Sequence, residues 1–293
     1  MNERLPDFLI IGAQKSGTTT LYADLDAQPT VCMSSIKEPA VLIKIPDADQ
    51  ARAYYGRLFE AAAAHRRFGE ATTLYSQLPQ HPGVPERARS LLGPDLRLIY
   101  IVRNPVERAI SHHHHAYQRG RAGRDVDAAV RADPRFVDNG RYGMQLEPWL
   151  GAFGRDAMHV IQFEGYVRDR AGGLRAVGEH LSVPVDPALI DAATSFNKSE
   201  GNRVYGYLRP IFSRDLWRLH IRPRIPAGLR HRIANLVAPK VPPPPPPPRL
   251  DTIDYLIDKL AADAELLPGL LGPGAPSWDF AATRRKYAQP RDG

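Results

Sequence analysis

Apolar residues fall along this chain in short unbroken runs separated by longer amphipathic stretches. Phe8-Leu9-Ile10-Ile11, opened by Asp7 and closed by Gly12, leaves no polar face, the pattern of a strand buried on both sides of a parallel sheet. Ala13 to Gly17 reads as a turn, and Thr18 to Asp26 carries Leu21 and Leu25 at helical spacing. Leu96 to Val102 is the clearest strand, bounded by Pro94 and by Asn104-Pro105 and followed by a helix from Val106 to Arg119. His159-Val160-Ile161-Gln162-Phe163 predicts another strand, after a helix over Tyr142 to Phe153. Phe68-Gly69-Glu70 opens a further strand or loop, and Pro29-Thr30-Val31 a short segment ending near Lys37-Glu38-Pro39. Helices are expected over residues 49–66 and over Glu86 to Leu92, the second stopped by Gly93-Pro94. Strands alternating with helices predict an α/β fold, a parallel sheet flanked by helices.

From about residue 195 the texture changes. Residues 209–232 hold seven arginines: Arg209, Arg214, Arg218, Arg222, Arg224, Arg230 and Arg232. On a helix, Ile211, Phe212, Leu216 and Leu219 would share one face and Arg214, Arg218 and Arg222 another. That is a solvated surface helix or, more sharply, a basic lid or a peripheral membrane contact. Pro242 to Pro248 predicts a stiff polyproline spacer, Leu250 to Leu271 a last helix, and Trp278 an anchor for the tail. No internal repeat is visible. The expected organisation is one domain over residues 1–293, with a core at about 5–200, a basic and proline-rich segment at 205–250 and a helical C-terminal extension at 250–280.

Composition narrows the classes. The 293 residues are 43% hydrophobic and 24% charged, ordinary for a globular chain and unlike a disordered or fibrous one. The single cysteine, Cys32, excludes an internal disulfide framework and a multi-cysteine metal site, and fits a reducing cytoplasm. No run approaches a bilayer-spanning length, and the short apolar stretch after the first residues does not read as a secretory signal. Thirty-nine lysines and arginines against 32 acids give a net charge of +7, which favours anionic partners without choosing among them.

Two segments carry chemistry. In Gly12-Ala13-Gln14-Lys15-Ser16-Gly17-Thr18-Thr19-Thr20 a buried strand runs through a glycine turn into a helix that opens with hydroxyl residues. Free N–H groups at that helix start, with the helix dipole, favour an anion, and Lys15 adds a mobile charge. The arrangement is P-loop-like but not Walker A, because the lysine precedes the second glycine. In the second segment Arg103 stands at the carboxyl end of a strand, where parallel sheets bind ligands, and Ser111 follows eight residues on. A guanidinium and a hydroxyl there could hold one phosphate from two sides. Alone, each segment also fits a plain strand-to-helix turn or a surface ion pair.

Together the two segments resemble the sulfotransferases that use PAPS (3′-phosphoadenosine 5′-phosphosulfate), of the bacterial and heparan-sulfate type. Lys15 to Thr20 is similar to their 5′-phosphosulfate loop, and Arg103-Asn104-Pro105 through Ser111 to their 3′-phosphate motif. Lys37-Glu38-Pro39, Phe68-Gly69-Glu70-Ala71-Thr72 to Tyr75, and Tyr142, Gln145, Leu146 and Trp149 echo further family elements in the same order. The likeness covers roughly residues 5–170, and more loosely Leu270 to Trp278. It implies PAPS as co-substrate, no metal, and no nucleic-acid partner. Lys15 would stabilise the leaving group; Ser16, Gly17, Thr18, Thr19 and Thr20 would hold the phosphosulfate; Arg103 and Ser111 would hold the 3′-phosphate; Glu38 would accept the acceptor's proton.

The implied reaction is transfer of a sulfuryl group to a hydroxyl or amine of a carbohydrate, lipid or natural product. The sequence departs from the heparan-type pattern at Pro39-Ala40-Val41 and at Ala71, positions that face the acceptor in the family. His81 is the alternative base, after the cytosolic members. Lys198 and Arg203 are the candidates in the poorly matched nucleotide loop. The run His112 to His115 points around a helix rather than at one metal, and Glu164 reads as an N-cap or ion-pair partner. The composition suggests a bacterial, cytoplasmic protein. Two other classes stay open: a P-loop-type kinase or NTPase, and a non-catalytic basic protein that binds polyanions through residues 209–232.

Overall fold

Five strands pair side by side in the computed structural model, which describes residues 4–60, 67–190 and 244–289. The strands are β1 (Phe8–Gly12), β2 (Val31–Met33), β3 (Arg67–Ala71), β4 (Arg97–Val102) and β5 (Met158–Gln162). Every pairing is parallel and the order is β2-β3-β1-β4-β5. The expected parallel α/β sheet is therefore present, with Phe68-Gly69-Glu70 a strand and not a loop.

Between the strands run α1 (Thr18–Asp26), α2 (Val41–Lys44), α3 (Ala48–Leu58), α4 (Val84–Leu92), α5 (Pro105–Gln118), α6 (Val126–Ala132), α7 (Arg135–Asp138) and α8 (Tyr142–Phe153). After β5 come α9 (Phe163–Arg168), α10 (Arg170–Leu181), α11 (Leu250–Ala264), α12 (Leu267–Leu271) and α13 (Phe280–Ala288).

Alternate residues of each strand feed two cores, as the period of two requires. Leu9, Ile11, Leu98, Tyr100 and Val102 pack with Tyr142, Leu146 and Trp149 of α8 and Tyr55 of α3. Phe8, Ile10, Ile99 and Ile101 pack with Leu21 and Leu25 of α1 and Leu174 and Val177 of α10. A third cluster joins Val106 and Ala109 of α5 to α6 and to Ile253, Leu256 and Leu260 of α11.

Some boundaries differ from the periodicity. The helix expected over 49–66 is α3, which ends at Leu58; residues 61–66 of that expectation lie outside the described residues. The single helix expected over Leu250 to Leu271 is two, because Pro268 lacks an N–H to continue α11 and sits instead in the first turn of α12. Helix α10 escaped the pattern because Gly172, Gly173 and Gly178 lower its propensity. Its glycines serve packing: a Cβ at Gly173 would meet Tyr166 Cδ2 at 2.4 Å. Lys198, Arg203, the basic stretch 209–232 and the first two prolines of the run lie outside the described residues. Among the described residues no helix is long and apolar enough to cross a membrane.

Candidate active site

Because the strands are parallel, their carboxyl ends lie on one side, and three adjacent strands deliver the candidate residues there. β1 leads to Lys15, its neighbour β4 to Arg103, and its other neighbour β3 holds the loop of Glu38. This is the crevice position at which open parallel sheets bind ligands.

The loop after β1 is built for close approach. Ala13 N–H donates to Ile101 O at 2.7 Å, fixing the turn to β4. Gly17 sits at the N-cap of α1 with φ 94°, and a Cβ there would meet Phe163 Cδ2 at 2.7 Å. No side chain caps α1, so its first-turn N–H groups face outward without a side-chain acceptor. Ser16 is fully buried, and its Oγ has no hydrogen bond of normal length, with the Tyr142 hydroxyl as its polar neighbour. Thr18 and Thr20 are buried in the first turn and Thr19 is exposed. An uncapped helix start, an orphaned buried hydroxyl and a lysine are what a phosphate or sulfate group would satisfy. The donor set fits PAPS.

Lys15 itself has φ 70°, a left-handed conformation costly for a side-chain residue. Its pKa falls from 10.5 to about 8. Burial is the largest cause, followed by the guanidinia of Arg119 and Arg103, with the ammonium of Lys37 weaker; the Glu38 carboxylate acts in the opposite sense. Lys15, Arg103, Glu38, Lys37 and Arg119 therefore share one electrostatic neighbourhood. His114 joins it: its pKa is lowered by burial, by His113 and by Lys15.

Arg103 lies one residue past β4. Its backbone is pinned by Tyr142, whose hydroxyl donates to Arg103 O at 2.6 Å and accepts from Arg103 N–H at 3.2 Å. Its guanidinium lies 5.3 Å from the Phe163 ring centroid and 3.3 Å from Glu107 Oε2. Ser111 is half-buried one turn beyond Glu107 on α5, so Arg103, Glu107 and Ser111 fall on one stripe at four-residue spacing. In contrast to α1, α5 is capped from within: Asn104 Oδ1 accepts from Val106 N–H at 3.1 Å and Glu107 N–H at 3.2 Å. An anion at this second position would have to be held by side chains.

The Glu38 loop hangs from β3. Glu38 N–H donates to Ala71 O at 2.9 Å, Ala40 N–H to Thr72 Oγ1 at 3.2 Å, and Leu42 N–H to the Tyr75 hydroxyl at 3.2 Å. Beneath these bonds Glu70 is fully buried and accepts from Tyr55, Thr72 and Tyr75 at 2.6, 2.6 and 2.7 Å. Burial raises its pKa, and the three hydroxyls partly offset that. Glu38 and Ala40 have φ 58° and 56°, so this network holds a strained turn in place. The Glu38 carboxylate, 43% exposed, accepts from Lys37 Nζ and Thr73 Oγ1, each at 3.2 Å. A base role requires an acceptor hydroxyl to reach Glu38 beside this ion pair.

Other expectations resolve differently. The His81 backbone N–H closes a turn on Gln77 O. Glu164 is neither an N-cap nor an ion-pair partner among the described contacts: it accepts Asn104 N–H at 2.7 Å and Trp278 Nε1–H at 3.4 Å. Trp278 anchors the tail there, 5.6 Å from the Tyr142 ring. The histidine run diverges: His112 packs on Phe136, His113 Nε2 meets Gly123 O, and His114 Nε2 meets Gln118. Among the described residues no group of three or more His, Cys, Asp and Glu side chains could hold a metal ion. Arg119 and Thr73 went unnoticed in the sequence; only the arginine-rich stretch after α5 hinted at the first.

A family model for the sulfotransferase domain matches residues 5–214. The chain belongs to the sulfotransferase family. Mouse heparan sulfate glucosamine 3-O-sulfotransferase 3B1 is 28% identical over 214 residues, 68% of this chain and 51% of that protein. The human 3-O-sulfotransferase 6 is 27% identical over 256 residues, 80% and 70% of the two chains. Human bifunctional heparan sulfate N-deacetylase/N-sulfotransferase 2 is 25% identical over 203 residues, 62% of this chain and 22% of that one. This sulfotransferase-family chain thus spans about half the length of the first of these curated relatives. Among solved structures, the sulfotransferase from Alicyclobacillus acidocaldarius aligns with TM-score 0.62 at 22% identity, over 96% of this chain and 100% of that one. The sulfotransferase domain from the curacin biosynthetic pathway aligns with TM-score 0.50 at 18% identity, over 88% and 98%. Those two likenesses speak for the fold.

Proposed function

We propose that this sulfotransferase moves the sulfuryl group of PAPS to a hydroxyl or amine of an acceptor, a carbohydrate in the first instance. The observation that carries the reading is the meeting of Lys15, Arg103 and Glu38 at the ends of three adjacent parallel strands. PAPS, when bound, supplies an activated sulfuryl group on a phosphate leaving group. The N–H groups of the N-cap Gly17 and of Thr18 and Thr19, with Ser16 Oγ and the hydroxyls of Thr18 to Thr20, would hold its anionic oxygens. Arg103, just past β4, and Ser111, on α5, would hold the 3′-phosphate. Lys15 Nζ donates a hydrogen bond and a positive charge where charge builds on the departing oxygen. Glu38 takes the acceptor's proton on a carboxylate oxygen, and Lys37 and Thr73 orient that carboxylate. Burial of Lys15 strengthens its field by excluding water.

Carbohydrate acceptors are favoured by the relatives, which are named as a heparan sulfate glucosamine 3-O-sulfotransferase and a heparan sulfate N-deacetylase/N-sulfotransferase. Pro39, Ala40 and Ala71 depart from the heparan-type pattern, so the acceptor need not be heparan itself; all three are buried here and would act on the acceptor only through the turn they build. The NTPase alternative is not favoured, for lack of a Gly-Lys-Ser/Thr turn, and neither is the non-catalytic basic protein. The test is competitive: 3′,5′-bisphosphoadenosine should protect the chain thermally where ATP with Mg²⁺ does not. Labelled PAPS should then transfer its label to one member of a panel of amino sugars, oligosaccharides, lipids and phenols. Protection by ATP with Mg²⁺ alone would reject the reading.

A further inference from the structure

The C-terminal helix α13 reaches the start of α5 through two side chains, and its residues fall beyond the stretch matched by the family model. Asn104, which caps α5 through Oδ1, donates from Nδ2 to Thr283 Oγ1 at 2.8 Å. One turn along, Lys286 Nζ is 2.6 Å from Glu107 Oε1, and Glu107 Oε2 is 3.3 Å from Arg103 Nη2. Arg284 ties the helix to α11 through both oxygens of Asp254, at 2.6 and 3.1 Å. One carboxylate therefore bridges two cations that are 183 positions apart in sequence (Arg103 and Lys286).

The charge count decides what this does. Arg103 with Glu107 alone is a neutral pair, and a neutral pair has little attraction for a phosphate. With Lys286 the cluster carries one net positive charge, and Glu107 is shared. We propose that Lys286 is a positioning residue for the anion at Arg103: it draws on Glu107 and leaves the guanidinium available to a phosphate monoester on the nucleotide's ribose. The inference rests on reading Arg103 as the 3′-phosphate anchor. The Lys286 side chain is 60% exposed, so the effect is moderate and falls with salt.

The experiment is a calorimetric titration of the full chain with 3′,5′-bisphosphoadenosine and with adenosine 5′-monophosphate, at low and high salt. Lys286→Ala should weaken the bisphosphate about fivefold at low salt, less at high salt, and change the monophosphate less than twofold. Lys286→Arg should bind as the wild type does. Adding Glu107→Gln to Lys286→Ala should restore most of the bisphosphate affinity, because the competing charge is gone; a purely structural role for Lys286 would not be rescued that way. Equal loss for both ligands, no loss, or no rescue would overturn the proposal. If the wild type itself binds both ligands equally, the assignment of Arg103 fails first and takes this inference with it.

Discussion

Raising the pH through the Lys15 transition should weaken nucleotide binding, and the size of the effect follows from the site. In the free protein Lys15 titrates at about 8 instead of 10.5, because burial and the Arg119 and Arg103 guanidinia disfavour its charge. That drop amounts to roughly 3 kcal/mol at about 1.4 kcal/mol per unit. It is an upper figure, since the site opens to solvent. A bound phosphate or sulfate places negative charge beside Lys15, which offsets the burial and the two guanidinia and returns the ammonium toward its ordinary range. The group is thus more strongly protonated in the complex than in the free chain, so affinity is full below pH 8 and is lost as pH rises above it. With complete restoration, Kd for 3′,5′-bisphosphoadenosine should rise about 25-fold between pH 7 and pH 9.5, and binding at pH 9 should take up nearly one proton. Calorimetry in two buffers of different ionisation enthalpy measures both quantities. Lys15→Arg keeps its charge throughout and should flatten the profile. A flat wild-type profile, or an arginine variant with the wild-type slope, would refute the argument.

The remaining predictions divide the site. Arg103→Ala should cost about 1.5–3 kcal/mol of affinity for the bisphosphate and almost none for adenosine 5′-monophosphate, read by the same titration. Gly17→Ala should lower thermal stability by about 1–3 kcal/mol and abolish nucleotide protection, because φ 94° and the Phe163 ring leave no place for a methyl group. Glu70→Gln strands one of three hydroxyl donors and should cost about 1–3 kcal/mol of stability while lowering kcat more than nucleotide affinity. Glu38→Gln keeps the size and removes the proton acceptor, so kcat should fall about 10²–10⁴-fold with nucleotide affinity spared, and His81→Ala should cost little. If the histidine variant is instead the inactive one, Glu38 is not the base.

Strands buried on both faces were plain in the chain, because Phe8 to Ile11 and Leu98 to Val102 have no polar face to confuse the period. The P-loop-like turn was equally plain, since a strand, two glycines and a hydroxyl-rich helix start are adjacent in sequence. Less legible were elements whose stability comes from elsewhere. Arg67 to Ala71 has one exposed end and a polar interior at Glu70, which only makes sense once Tyr55, Thr72 and Tyr75 are seen to surround it. Helix α10 has three glycines and is held by Asp169 at its N-cap and by packing on the sheet.

The site shows the same division at a finer scale. Lys15 and Arg103 are marked by their local turns, but nothing local says that β1 and β4 are neighbours or that β3 lies on the other side. That order is what brings Lys15, Arg103 and the Glu38 carboxylate into one neighbourhood. It also explains why Glu38 needs so elaborate a support. A residue hung from a strand end by one backbone bond could swing; Glu38 is held in a left-handed turn by N–H groups of its own loop that donate to Ala71, Thr72 and Tyr75, and the last two of these rest on a carboxylate no solvent reaches. A buried acid with three hydroxyl donors is costly to assemble and stiff once made. Such a network is better suited to fixing one angle than to adding stability. The angle it fixes is that of the carboxylate whose charge counters the lowering of the Lys15 pKa.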